Sequence, residues 1–320
     1  MSLQKIMLAI LSLVLMFGTA ARTVSVDVIK NPYAGARNVP ELSTNPDYIH
    51  AVGLEQLIQD WGGQLVRPIQ DIRLNKVQNQ QYGEWNRMAL ANRNFADAVR
   101  LGRHSSDLTV GLEANCNDLL GMLAGLKYDD QGNTVTLGLV FIDAHGDFNV
   151  PETTLSGMLG GMPVAIAAGH ALHNLRKTAG LTEALSIENI VWGGVRDLDP
   201  LEAARFDKFS VRQFSVDDVR TMSDHLASTM QHLSSRVDLI YVHVDMDVLD
   251  PAEVRGHPLT VPDGPTSSEL AGAIKRMFKD PKVVALGIAS TPAGSMDSDG
   301  KSRQAALNLI QAAIEGIATR

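Results

Sequence analysis

The chain has 320 residues, 45% of them hydrophobic and 20% charged. That is the composition of a globular protein with a sizeable core, and it excludes a disordered chain. The formal net charge is −8 with no cluster of Lys and Arg, which excludes nucleic acid as an expected partner. The single cysteine, Cys116, excludes an internal disulfide.

Residues 1–22, MSLQKIMLAILSLVLMFGTAAR, place one cation, Lys5, before an apolar run from Ile6 to Phe17, and small residues follow. This is the layout of a secretory signal peptide, and the run is too short for a comfortable membrane span. It implies a secreted or periplasmic protein if the leader is cleaved. The alternative is a buried or interface helix in a cytoplasmic protein. No later stretch is apolar enough to span a bilayer, so no membrane partner is expected after leader removal.

From residue 23 onward, apolar β-branched runs alternate with helical patterns. TVSVDVI (23–29), LTVGL (108–112), TLGLVFIDA (136–144), NIVWGG (189–194), VDLIYVHVD (237–245) and VVALGIAS (283–290) read as strands. Their near-continuous apolar character predicts strands covered on both faces. Helices are predicted near 48–61, 85–102, 117–126, 162–175, 201–208, 216–234, 267–279 and 302–318. The alternation predicts one α/β domain over residues 23–320, with a mostly parallel sheet between two helical layers. In such sheets ligands sit beyond the carboxyl ends of the strands.

Two strand ends carry unusual chemistry. FIDAHGDFN closes one apolar run with Asp143, His145 and Asp147 at alternate positions. YVHVDMDVLDP closes another with His243, Asp245 and Asp247 in the same spacing. If the strands persist, each trio shares a face. One such motif is commonplace in turns and helix caps. Two of them mass four carboxylates, which repel one another unless cations sit among them. An oxygen-rich ligand set with one or two nitrogens suits Mn²⁺ better than a structural Zn²⁺ site.

DAHGDFN and HVDMDVLDP resemble the two metal-binding signatures of the ureohydrolases, the arginase, agmatinase and formimidoylglutamase family. TTLSGMLGGMP (153–163), IVWGGVRDLDPLEA (190–203) and GHPLTVPDGPTSSEL (256–270) resemble the family's substrate-loop and strand-end segments, in the right order. The resemblance implies a three-layer α/β/α fold and a two-manganese centre. Asp143, His145, Asp147, Asp245 and Asp247 match five of its six metal ligands. It implies that Asp143 and Asp245 bridge the metals, that His145 and Asp247 bind one ion, and that Asp147 binds the other. A hydroxide shared by both metals would attack the central carbon of a small amidine or guanidine, with Asp147 accepting and passing on its proton. Asn149, Ser156 and Asp199 match substrate-contacting positions. The family also implies a homo-oligomer, a trimer or hexamer.

The sequence departs from the family pattern at three places. The sixth ligand, a histidine, aligns with Cys116 in GLEANCNDLLG (111–121). A cysteine ligand would make the site softer and bring Zn²⁺ or Fe²⁺ into competition with Mn²⁺; the plain alternative is a buried, inert thiol. A substrate-loop histidine is replaced by Gly160. A carboxylate that holds the guanidinium is replaced by Ser290, which makes arginine itself a poor substrate candidate. His257, in the loop after the second motif, stands as a catalytic proton shuttle in place of the missing loop histidine, or as a surface histidine. His243 is either a partner that orients a metal ligand or a packed core residue.

The leading expectation is a metal-dependent hydrolase of linear C–N bonds other than peptide bonds. The alternative is an arginase-like scaffold or ligand-binding protein that has lost catalysis. A single-zinc deacetylase-type hydrolase ranks last, because the sequence has no adjacent pair of histidines.

Overall fold

The computed structural model describes residues 22–33, 35, 40–129 and 131–320. The expected leader, residues 1–22, lies outside the described residues apart from Arg22. In chain order the elements are β1 (Val24–Asn31), α1 (Asn45–His50), α2 (Leu54–Asp60), β2 (Gly63–Leu65), β3 (Gln70–Asp71), α3 (Lys76–Asn79) and α4 (Glu84–Arg103). Then come β4 (Leu108–Glu113), α5 (Leu119–Leu126), β5 (Leu137–Ile142), α6 (Pro163–Ala167), α7 (His173–Thr178), β6 (Ile190–Gly193) and α8 (Pro200–Phe209). The chain closes with β7 (Arg212–Phe214), α9 (Val216–Thr221), α10 (Asp224–Arg236), β8 (Leu239–Asp245), α11 (Ser267–Met277), β9 (Val283–Ala289) and α12 (Lys301–Ala318).

The strands form one sheet in the order β2-β1-β4-β9-β8-β5-β6-β7, with β3 also on β1, and every ladder between them is parallel. Alternation along the strands builds two cores. Val140 and Ile142 of β5 and Val242 and Val244 of β8 face apolar residues of α10, α11 and α12. Leu139 and Phe141 of β5 and Trp192 of β6 face α4 and α5 from the other side. Both faces of the sheet are therefore buried, which is why its strands read as unbroken apolar runs. The expected three-layer α/β/α architecture is the observed one.

The sequence expectation erred where left-handed residues interrupt helical periodicity. The helix expected over 48–61 is two, α1 and α2, parted at Gly53 with φ 80°. That over 162–175 is α6 and α7, parted around Gly169 and Leu172, and that over 216–234 breaks at Met222, with φ 48°. The short edge strands β2, β3 and β7 carry no apolar run and were invisible to periodicity. Among the described residues no helix is long and apolar enough to cross a membrane.

The strand order sets the site. The carboxyl ends of β4, β9, β8, β5 and β6 lie side by side in the sheet's centre, so residues far apart in sequence meet above them.

Candidate metal centre

β5 ends at Ile142, so Asp143, His145 and Asp147 do not share a strand face as the simple alternation predicted. They converge through the loop that follows. The Asp143 backbone N–H donates to Gly193 at 3.0 Å, holding the loop to β6, and Asp147 takes a left-handed backbone with φ 46°. Gly146 is required between them: a Cβ there would stand 2.8 Å from Glu202 Oε1, Leu198 and Phe206. Trp192 Nε1 donates to the Gly146 carbonyl at 2.9 Å. Phe148 anchors the loop in a buried aromatic group with Trp192, Phe206 and Phe209, its N–H donating to Glu202 at 2.7 Å.

β8 delivers Asp245 at its last position and Asp247 in the 3-10 turn that follows, with the Asp247 N–H donating to Asp245 Oδ1 at 3.0 Å. β4 delivers Cys116 through a turn whose start is capped by Asn115, just ahead of α5. β9 delivers Ser290, fully buried and left-handed with φ 60°.

These groups meet. His145 Nδ1 lies 3.3 Å from Asp143 Oδ1 and 3.2 Å from Asp247 Oδ2. Cys116 Sγ lies 2.6 Å from Asp245 Oδ2 and 3.9 Å from Asp143 Oδ2. Three sets of side chains bring their ligand atoms within 4.8 Å of one another: Cys116, Asp143 and Asp147; Asp143, His145 and Asp247; and Asp245, Asp247 and His257. The first two sets share Asp143, which is where the resemblance places a bridging carboxylate.

The electrostatics are those of a site built around cations. Asp143, Asp147, Asp245 and Asp247 are all buried. Burial pushes the Asp147 carboxyl well above the usual range, and the charges of Asp143, Asp245 and Glu202 add to it against His145. Asp247 is raised by burial and by Asp143. Burial disfavours a charged His145, yet its hydrogen bonds to Asp143 and Asp247 and their charges outweigh that and push it up to about 12. Crowded carboxylates of this kind need protons or cations among them.

His257 is buried, against the surface reading, and its Nε2 stands 3.8 Å from Asp245 Oδ1 without a hydrogen-bond partner among the described residues. Its Nδ1 accepts the Leu259 N–H at 3.2 Å. In the neutral ring that leaves the proton on Nε2, facing the carboxylates. The ring is therefore poised to donate rather than to ligate, because a ligating Nε2 would need its proton on Nδ1. His243 stacks on Phe141 at 5.1 Å and joins Tyr241 and Glu113 in a buried polar group, so it is a core histidine.

The cavity over the cluster is about 240 Å³ and is lined by Asp143, His145, Asp147, Asp245 and Asp247 together with all three expected substrate contacts. Asn149 donates to Asp199 at 3.1 Å and accepts from Thr153 at 2.8 Å, tying the 149–161 loop to α8. Ser156 is exposed on that loop and accepts the Met158 N–H at 3.2 Å. Gly160 lines the wall and brings no side chain.

Sequence reasoning missed Asp197 and Glu202 in the wall and Leu155, Met158 and Leu259 around it. Glu202 was legible in principle, three residues after Asp199 and so on the same side of α8. Its burial raises the carboxyl to about 7, against the N–H of Phe148. Arg196 was also missed; it donates to the carbonyls of Gly194, Val261 and Pro262 and so holds the loop after His257 against the end of β6.

The model of the arginase family matches residues 119–315, more than half of the chain, starting just past Cys116. Among curated relatives, the arginase of Staphylococcus aureus (strain MRSA252) is 32% identical over 155 residues, covering 48% of this chain and 51% of that protein. The arginase of Bacillus subtilis (strain 168) is 27% identical over 240 residues, covering 73% and 78%. The matched stretch thus spans only about half the length of the first of these relatives. Among solved structures, arginase from Bacillus cereus superposes with TM-score 0.78 at 23% identity, covering 91% of this chain and 98% of that one. Formimidoylglutamase from Bacillus subtilis does so with TM-score 0.72 at 17% identity, covering 94% and 89%. At these identities the superpositions speak for the fold.

Proposed function

The chain belongs to the arginase family, and from that premise we propose that it is a hydrolase of non-peptide C–N bonds in a guanidino or amidino compound, dependent on two divalent metal ions. One observation carries the reading: four buried carboxylates and an imidazole from two strand ends line one cavity, with the Cys116 thiol from a third packed against two of those carboxylates. Burying so much negative charge is costly without cations.

The donor set fits two ions. Cys116, Asp143 and Asp147 would hold one, and His145, Asp143 and Asp247 the other, with Asp245 available to either from its place beside Cys116 and Asp247. Oxygen ligands predominate, which favours Mn²⁺; the thiolate of Cys116 is the feature that would admit Zn²⁺ or Fe²⁺. Such ions supply Lewis acidity and bring the pKa of water towards neutrality.

The chain's own groups then do the following. Asp147 accepts the proton as the water oxygen bonds to the amidine carbon, and returns it to the nitrogen that leaves as the C–N bond breaks. His257 offers the Nε2 proton to the developing charge. Asp199 and Glu202 attract the cationic end of the substrate, and Asn149 keeps the loop and α8 in register around it. The alternative, a metal-holding member of the family without turnover, draws on Ser290 and Gly160, which stand where the resemblance expects an acid and a histidine.

Mn²⁺-loaded protein should release ammonia or urea from at least one compound in a panel of linear guanidines and amidines. Stoichiometric metal with no release across the panel would leave the alternative standing.

A further inference from the structure

The two halves of the proposed metal centre are built from different donors. Asp143, His145 and Asp247 form one half and offer oxygen and nitrogen. Cys116, Asp143 and Asp147 form the other and offer sulfur with oxygen. Asp143 is common to both, so a thiol on one side and an imidazole on the other set the difference between them. The halves also differ in depth. His145 lines the cavity, whereas Cys116 is 1% exposed and packs against two of the carboxylates that line it.

The body of Cys116 belongs to the apolar layer on the α4 and α5 side of the sheet, as that of an inert cysteine would. Its sulfur does not. Sγ lies 2.6 Å from Asp245 Oδ2 and 3.9 Å from Asp143 Oδ2. The hydrogen bond to Asp245 is dispensable to that carboxylate. Ser290 Oγ also donates to Oδ2, at 2.7 Å, and the Asp247 N–H donates to Oδ1 at 3.0 Å. The thiol can therefore give its proton to water and form a metal–sulfur bond while both oxygens of Asp245 keep a donor. A thiolate among carboxylates is repelled unless a cation binds it strongly. Mn²⁺ prefers oxygen, whereas Zn²⁺ takes thiolate readily.

We propose that the centre is heterobinuclear, with Zn²⁺ held by Cys116, Asp143 and Asp147 and Mn²⁺ by Asp143, His145 and Asp247. This rests on the two-metal reading of the site and not on turnover. Affinity alone favours zinc over manganese in either half, so the ordering comes from where the sulfur stands. Limiting zinc goes to the thiolate, and manganese fills the half that remains. Manganese occupies both halves when no thiophilic ion competes. The zinc is the deep ion, and manganese exchanges through the cavity that His145 lines.

The test is X-ray absorption at the zinc edge, on the full chain stripped of metal and given one equivalent of Zn²⁺ with an excess of Mn²⁺, free metal then being removed. Wild type should retain one zinc and one manganese. Its zinc should show a sulfur neighbour at about 2.3 Å and no imidazole scattering. Its manganese should give the resolved hyperfine spectrum of an isolated ion in electron spin resonance, not the broad spectrum of a coupled pair. In Cys116→Ser the sulfur shell should vanish and imidazole scattering replace it, as zinc moves to His145. His145→Gln should keep the sulfur shell and weaken manganese binding about tenfold or more. Two ions per chain with zinc on imidazole in the wild type, or an unchanged zinc spectrum in Cys116→Ser, would overturn the proposal and leave the two-metal reading standing. Fewer than two ions per chain in the wild type would sink both. Zinc on sulfur in a protein that releases no ammonia or urea would sink the hydrolase reading alone.

Discussion

Cys116 and Ser290 converge on a single oxygen. The thiol of one lies 2.6 Å and the hydroxyl of the other 2.7 Å from Oδ2 of Asp245. These are two of the positions where the chain departs from the family it belongs to, and they stand together in space. Ser290 contributes a hydroxyl that orients a carboxylate of the cluster, and its left-handed backbone at the end of β9 aims it there. Where the resemblance expects a substrate-holding acid, this chain has a support for Asp245.

If Cys116 binds metal, Co²⁺-substituted protein will show a thiolate-to-cobalt charge-transfer band in the near ultraviolet. Cys116→Ser should abolish the band and weaken one of the two metal sites by about tenfold or more, the scale seen when a ligand or its support is altered. Absence of the band in metal-replete wild type would make Cys116 an inert thiol.

Metal loading should release protons. Asp147 and Asp247 are raised above the usual carboxylate range, and His145 is held charged near pKa 12 while the cluster is metal-free. Ligands must be deprotonated to bind, so apparent affinity should climb as pH rises. Calorimetric titration with Mn²⁺ in two buffers of different ionisation enthalpy reads the proton count directly. Identical heats in both buffers would contradict the assignment.

The backbone architecture was legible because buried parallel strands announce themselves as apolar runs, and the acids of β5 and β8 interrupt those runs. Their convergence was legible only as a pairing of motifs, since the loop after Ile142 departs from strand geometry. His257 was ambiguous because its burial depends on how Arg196 holds the following loop, a contact between residues 65 and 66 positions apart in the chain. Leu155 and Leu259 were unreadable for a similar reason: one exposed leucine in a loop has no periodicity, and their meaning comes from meeting around one cavity.

Glu202 gives a pH signature of stability in the metal-free protein. Its folded pKa of about 7 lies above the ordinary 4.5, so the folded state holds the extra proton between those values. Stability should therefore be greatest below pH 4.5 as far as this group is concerned, and be lost as pH rises through 7, by about 3 kcal/mol at most. Glu202→Gln keeps an acceptor for the Phe148 N–H and should flatten the dependence between pH 5 and 7. Parallel curves for both proteins in urea titrations would count against the shift.

Gly287 makes room for the polar group behind the site. Glu113 of β4 reaches across β9 to accept the Tyr241 hydroxyl at 2.7 Å, and a Cβ at 287 would stand 2.1 Å from that hydroxyl and 2.2 Å from Glu113 Oε1. Gly287→Ala should destabilise the fold by about 1–3 kcal/mol, the usual cost of overpacking a filled core. Denaturant midpoints of the two proteins settle it; equal midpoints would mean the group rearranges freely.

The most direct test of the account is elemental analysis of the purified protein after equilibration with Mn²⁺ and removal of free metal, with Asp245→Asn alongside. Two ions per chain in the wild type, with substantial loss in the variant, is the predicted result. No stoichiometric metal in either protein would contradict it, and would reduce the acids above β5 and β8 to capping and turn residues.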